Sequence, residues 1–456
     1  MKENFLIFLF CCVVLFLVFS NSSTGMSGRL SKPENNEARI VSEEAFYLQE
    51  TDENQHQWIQ LTKDELNESE KEDALSLYAL SACMIDAETG RILYGKNETQ
   101  ERAMASTTKI LTCLLALEHC PLDDIVTVSE YAASMPDVQL NAKAGEQFRL
   151  YDLLLSLMLE SHNDTAVAIA EHVGGTVEDF CKMMTERAHR IGCKNSVFLT
   201  PNGLDKEIET EMGVEKHSTT AYELALILKE CIKNEQFVAI CRTDNAMISN
   251  IAKTASYQLH NHNALLNMMQ GVIAGKTGFT CDAGYCYVGA VNRNDSVFVC
   301  ALLGCGWPNH KNYKWYDMNV LIDYAQKEFR RIELPVEQIE KLLPDTIPVI
   351  DGMLENNPVD SVRIRRNKME THEVLMSTNE KLVVSYELPA CLSAPINIGD
   401  RVGEIRYTIN GQTIMSDSLT AIETIQLMTF KEYLRLILQN YMLSDSSKPV
   451  SEKCSS

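Results

Sequence analysis

Positive charge is scarce in this chain: 41 Lys and Arg stand against 63 Asp and Glu, a formal net charge of -22. Nucleic-acid binding needs a surface that neutralises phosphates, and no Lys/Arg-rich run offers one, so nucleic acid is excluded as a partner. The usual metal-site spacings are missing as well. There is no His-Glu-x-x-His and no paired Cys-x-x-Cys, and His260-Asn261-His262 alone does not make a zinc site, so neither a metal nor a cofactor is expected. The apolar run from Phe5 to Phe19 falls short of the about 20 residues a membrane-spanning helix needs. It follows Met1-Lys2 and precedes Ser20-Asn21-Ser22-Ser23, the order of a secretory signal. Residues 1–23 are therefore read as a signal peptide, with a retained N-terminal anchor as the alternative. Either reading puts the body of the protein outside the cytoplasm.

What is present is globular composition, 45% hydrophobic and 23% charged over 456 residues, with room for two or three domains. The 15 cysteines would suggest a disulfide framework, but such frameworks belong mainly to small domains without a core. Cys11 and Cys12 lie in the signal, and most others sit singly in apolar patterns such as Leu111-Thr112-Cys113-Leu114. They read as buried small hydrophobes. Cys281 and Cys286 are the one candidate pair.

Residues 24–72 are polar and acid-rich and read as a linker or a loosely docked segment. From Ala79 the pattern becomes strand, turn and strand, with Gly90 at the turn. Helical periodicity follows over Ser106 to about His119, Leu150 to Glu160, Asp164 to His172, Val177 to Ile191 and Thr219 to Lys233. Strand-like runs return after Gly271, at Tyr285 to Ala290 and Ser296 to Leu303, before a helix from about Trp315 to Arg330. This order predicts an α+β domain over 73–332, an antiparallel sheet flanked by helices with a helical subdomain, its two ends meeting in the sheet. Over 333–421 short alternating strands predict a smaller all-β domain, with Asn410-Gly411 marking a hairpin. In 422–456, Leu427, Phe430, Leu434, Ile437, Leu438 and Tyr441 share one helical face, ahead of a polar tail. That face either lies on a membrane surface or packs on the β domain, and Lys431 and Arg435 supply little positive charge for the first option.

Three short motifs occur in order: Ser106-Thr107-Thr108-Lys109, Ser161-His162-Asn163 and Lys276-Thr277-Gly278. Each is weak alone, and their order is the signal. A serine hydroxyl needs a base to become a nucleophile, and Lys109 lies one helical turn after Ser106, about 5–6 Å away between Cβ atoms. Ser161 can relay a proton to a leaving amine, and the Asn163 amide can hold a substrate backbone. Lys276 and Thr277, on an edge strand, can take a substrate carboxylate, with Gly278 leaving room for close approach. His162 has the right pKa for a base, whereas neutral Lys109 at pH 7 costs roughly 4–5 kcal/mol from its reference value. Burial and the Lys276 cation can lower that value, and spacing aims Lys109 at Ser106, so Lys109 is the expected base and His162 incidental.

The motif set resembles that of penicillin-binding proteins and serine β-lactamases. Within it, Met84 to Tyr94 and Ala105 to Thr112 are similar to the opening of low-molecular-weight serine D-alanyl-D-alanine carboxypeptidases. Met158 to Asp164, Pro201-Asn202-Gly203-Leu204-Asp205 and Gly275 to Thr280 extend the resemblance, which covers roughly residues 75 to 420. It implies a catalytic trio of Ser106, Lys109 and Ser161, and substrate contacts from Asn163, Lys276, Thr277, Gly278 and Phe279. The oxyanion hole would fall on the backbone N–H groups of Ser106 and Phe279. The partners implied are the peptidoglycan pentapeptide and β-lactam antibiotics. Two positions depart from the family pattern: His162 stands where Gly is common, and Phe279 where His or Tyr is common.

The competing readings are a β-lactamase and a catalytically idle wall-docking module. A large β-lactamase class deacylates with a Glu-x-x-Leu-Asn segment, and the nearest match here, Glu230 to Asn234, merely closes an apolar helix. An idle module would not require Ser106, Lys109 and Lys276.

Overall fold

The computed structural model describes residues 39–50, 56–61, 75–210, 213–367 and 373–445. The signal at 1–23 lies outside them.

Alternating side chains give the central sheet two buried faces. Along Ser296–Leu303, Val299, Ala301 and Leu303 enter the core shared with the helical region, while Phe298, Cys300 and Leu302 enter the core beneath helix Tyr313–Glu328. Ser81–Asp86 repeats this with Cys83 and Ile85 on one side and Ala82 and Met84 on the other. A strand buried on both faces reads as a continuous apolar run, and each large side chain so buried contributes about 1.5–3 kcal/mol. The sheet is antiparallel throughout, in the order Val272–Thr280, Gly284–Arg293, Ser296–Leu303, Ser81–Asp86, Ile92–Lys96. The first and last parts of the domain thus meet in one sheet, as the α+β reading expects. Val272–Thr280, which carries the third motif, lies at its edge.

The helical region supplies the facing layer: Lys109–His119, Leu150–Leu155, Asn163–Gly174, Val177–Ile191 and Ala221–Cys231. Thr176 and Thr220 cap the last two of these by accepting the N–H groups of Asp179 and Glu223. The periodicity expected over Leu150 to Glu160 ends in a π-helical turn, Ser156–Glu160. Such turns concentrate at functional sites, and this one delivers Ser161.

Beyond Tyr313–Glu328 the chain supplies seven strands of a nine-stranded sheet with its own apolar core. Asn410 (φ 51) and Gly411 (φ 74) join Arg401–Ile409 to Gln412–Ala421 in the hairpin that the Asn-Gly pair predicts. The acid-rich segment 24–72 is not simply a linker. Arg39–Glu50 pairs antiparallel with Lys381–Pro389, His56–Leu61 pairs with Arg39–Glu50, and Phe46 is fully buried in the β-domain core. Ile40, Val41, Ala45, Phe46, Tyr47 and Leu48 give the first of these strands its apolar content, which the acid-rich average over 24–72 masks.

One buried cluster fastens the two regions. Arg91, 2% exposed, bonds the carboxylate of Glu380 and the carbonyl of Leu375, and Gln412 accepts from the Ile92 N–H at 3.2 Å. Every cysteine among the described residues is a free thiol; Cys281 is exposed and Cys286 buried, so that candidate pair is not formed.

Candidate active site

Ser106 sits on a 3-10 turn, Ala105–Thr108, that feeds directly into helix Lys109–His119. The three-residue spacing puts the Lys109 Nζ 2.8 Å from the Ser106 Oγ. Lys109 is fully buried and donates as well to the Asn163 Oδ1 at 2.9 Å and to the Asn202 carbonyl at 2.7 Å. Burial, and then the Lys276 cation, hold its pKa well below the ordinary lysine value, with Asp164 opposing weakly. Depression in this direction favours the neutral amine, the form that can accept a proton.

Across the cleft the Lys276 Nζ donates to the Ser161 Oγ at 2.9 Å and to the Thr277 carbonyl at 2.9 Å. Burial pushes the pKa of Lys276 down to about 7. Ser161 is left-handed (φ 68) at the end of the π turn, and Ala105 (φ 49), beside the nucleophile, is left-handed too. Non-glycine residues in this region cost on the order of 1 kcal/mol or more each, and such strain clusters where side chains must be aimed.

Close packing explains two glycines. A Cβ on Gly278 would stand 2.9 Å from the Ser106 backbone nitrogen, so the edge strand presses against the nucleophile turn only because Gly278 has no side chain. Gly203 (φ +85) packs closer still, where a Cβ would come 2.0 Å from the Ala105 carbonyl oxygen. The room foreseen at Gly278 is thus taken by the protein's own backbone. Phe279, the next residue on the strand, is 40% exposed and its ring lies 4.7 Å from that of Tyr285.

Asn163 holds Lys109 through its Oδ1, and its Nδ2 donates to the Pro136 and Asp137 carbonyls at 3.1 Å each, so the amide orients the base and ties it to the segment 136–137. Asp164 completes that tie by accepting from the Leu140 and Asn141 N–H groups at 3.0 Å.

His162 turns away from the chemistry: its Nδ1 meets the Ser156 Oγ at 2.8 Å inside the π turn, while Lys109 meets Ser106. Its backbone is extended (φ -64), so the position makes no demand for glycine. His260 and His262 both meet Glu160, through the His260 N–H at 2.7 Å and the His262 Nε2 at 2.7 Å, which gives this pair a structural partner.

Sequence reasoning missed two supports. The Asn202 carbonyl accepts from both Lys109 and Ser106, the latter at 3.3 Å. His217, fully inside and held neutral with a pKa near 3 by burial, accepts the Leu199 N–H on Nδ1. Its Nε2 therefore donates to Thr108 on the nucleophile turn at 2.8 Å. The Pro201-Asn202-Gly203 stretch was visible as a family segment; nothing in the spacing of His217 marks it.

The D-alanyl-D-alanine carboxypeptidase family, peptidase S11, matches residues 67–305, and the chain belongs to that family of hydrolases. It is similar to D-alanyl-D-alanine carboxypeptidase DacF of Bacillus subtilis (strain 168), 28% identical over 376 residues, 78% of this chain and 88% of that one. DacC of Escherichia coli (strain K12) is 25% identical over 369 residues, 78% of this chain and 86% of that one. Penicillin binding protein 5 from Haemophilus influenzae shares the fold at a TM-score of 0.60 and 23% identity, over 78% of this chain and all of that one. A D-alanyl-D-alanine carboxypeptidase from Mycobacterium tuberculosis H37Rv reaches 0.51 at 26% identity, over 56% of this chain and 92% of that one.

Proposed function

We propose that this enzyme removes the terminal D-alanine from peptidoglycan stem pentapeptides outside the cytoplasm, through an acyl-enzyme on Ser106. The carrying observation is the contact between the Lys109 amine and the Ser106 hydroxyl, 2.8 Å, with Lys109 buried and its pKa depressed. Neutral Lys109 takes the hydroxyl proton as Oγ bonds to the carbonyl carbon of the penultimate D-alanine. The resulting oxyanion rests against the N–H groups of Ser106 and Phe279. The proton that Lys109 took passes on through Ser161, held by Lys276 at 2.9 Å, to the departing amine, so D-alanine leaves and Lys109 is neutral again. Thr277, partly exposed beside Lys276, takes the substrate carboxylate. Water then adds to the ester with Lys109 as base and frees Ser106. Penicillin, a cyclic mimic of the acylating peptide, stops at the ester.

Purified protein incubated with a pentapeptide ending in D-Ala-D-Ala should release D-alanine and take up fluorescent penicillin; Ser106→Ala, a small-for-small change, should fold and do neither. Label remaining on that variant would remove Ser106 from its role, and penicillin turnover without D-alanine release would favour a β-lactamase.

We propose further that helix Phe430–Asp445 lies on a membrane surface. Phe430, Leu434, Ile437 and Leu438 are exposed, although Tyr433 bonds Asp351 and Arg435 reaches the Asn356 carbonyl. Among the described residues no helix is long and apolar enough to span. Deleting 427–456 should shift enzyme from the membrane to the soluble fraction with peptide hydrolysis intact; unchanged fractionation would end this proposal.

A further inference from the structure

Away from the active-site cleft, Cys120, Asp124 and His172 bring one sulfur, one carboxylate oxygen and one imidazole nitrogen within 4.8 Å of one another. The sequence conceals this trio, because its third member lies 48 residues beyond its second and no short ligand motif results. Three separate pieces of local structure place it. Cys120 is the C-cap of helix Lys109–His119, its N–H bonded to the Ala116 carbonyl. Asp124 follows a turn closed by its own N–H on the Pro121 carbonyl at 3.2 Å, and its carbonyl receives the Leu150 N–H at 2.8 Å. His172 stands in the last turn of helix Asn163–Gly174, with its Nε2 3.3 Å from the Asp124 Oδ2. All three are partly buried.

We propose that Cys120, Asp124 and His172 form a three-ligand site for a zinc-class divalent cation, with water in the fourth position. The donor set suits a borderline-soft ion: thiolate, imidazole and carboxylate are the side-chain ligands zinc takes, at about 2.3, 2.0 and 2.1 Å. Tetrahedral bonds of those lengths put neighbouring ligand atoms about 3.3–3.6 Å apart. The Asp124–His172 separation of 3.3 Å already meets that, and the Cys120 sulfur lies within 4.8 Å of both, so only the sulfur has to draw inward for a cation to be held. Charge closes too, since one thiolate and one carboxylate together neutralise a divalent cation. The C-terminal ends of two helices, of 11 and 12 residues, converge here, and their dipoles present partial negative charge to a cation.

Position gives the site its consequence. The same two helices begin at the active site, where Lys109 at the head of one bonds Asn163 at the head of the other at 2.9 Å. A cation joining their tails would clamp the pair at both ends. It would stabilise the relative placement of the catalytic lysine and its partner without touching substrate.

Cobalt is the probe, because a cobalt–thiolate bond absorbs in the near ultraviolet where cobalt bound to nitrogen and oxygen alone does not. Titrating the full chain with cobalt should give that band at one equivalent, with zinc displacing it and raising the melting temperature by several degrees. Cys120→Ser should lose the band and the zinc-dependent rise, His172→Gln should weaken cobalt binding at least tenfold, and Cys281→Ser should keep all three. Penicillin uptake by each variant reports that it is folded. A wild-type protein with no cobalt–thiolate band, or a band that survives in Cys120→Ser, overturns the site.

Discussion

The two sheets of this molecule are built on different terms. In the five-stranded sheet, Ser296–Leu303 is buried almost throughout because helices cover both faces. In the nine-stranded sheet, strands such as Thr346–Leu354 and Arg401–Ile409 mix buried and exposed positions. The first sheet gives its edge strand a rigid backing, and against that edge the fold buries two lysines whose charge is costly to keep. The second carries none of the three motifs. Buried polar groups therefore serve chemistry in one region, whereas the Arg91 cluster between the regions serves attachment. Substitutions should separate these two uses.

The largest effect is expected at the base. Lys109→Arg should abolish acylation by penicillin and peptide hydrolysis alike, because a guanidinium does not deprotonate in the accessible range. Stopped-flow acylation from about pH 6 to 10 checks this, and a working arginine variant would transfer the role of base elsewhere.

Attachment should behave in the opposite way. Arg91→Met leaves Glu380 largely buried without its guanidinium, and breaking such a pair costs about 3–5 kcal/mol. Thermal unfolding should show that loss while the acylation rate of the folded enzyme stays within about twofold of wild type. A large kinetic defect at unchanged stability would mean that the β domain shapes the active site.

The smallest expected effect concerns pH. Lys276 has a pKa of about 7 when folded, against 10.5 as the reference for an unfolded chain. Below about pH 7 both states hold the proton, and the full cost of burying the cation is present. Between these values the unfolded chain binds a proton that the folded site has shed, so stability rises with pH. The stability of wild type relative to Lys276→Met should accordingly climb, by at least on the order of 1 kcal/mol, from about pH 7 to 10. Denaturant unfolding at several pH values measures it; a flat difference would show that Lys276 stays charged in the folded protein.

Much of the candidate site was legible because its decisive contact is local. Ser106 and Lys109 are three residues apart on a helical turn, so spacing alone predicts their meeting. The helical stretches and the Asn410-Gly411 hairpin were readable for the same reason, as short-range periods and turn chemistry. Short ligand spacings do not reach Cys120, Asp124 and His172, which meet only in the fold.

The amino-acid sequence by itself determined which groups are available for acyl transfer and that Lys109 stands beside Ser106. Only the tertiary structure decided the rest. The Asn202 carbonyl lies 96 residues from the serine it contacts, and since every residue has a carbonyl, no side-chain pattern announces it. Lys276 reaches Ser161 across 115 residues, and its depressed pKa comes from burial, a property of the packed cleft and not of the Lys-Thr-Gly motif. The strand Arg39–Glu50 joins the far sheet by pairing with Lys381–Pro389 and burying Ala45 and Phe46 there, a partner so distant along the chain that no local pattern announces it.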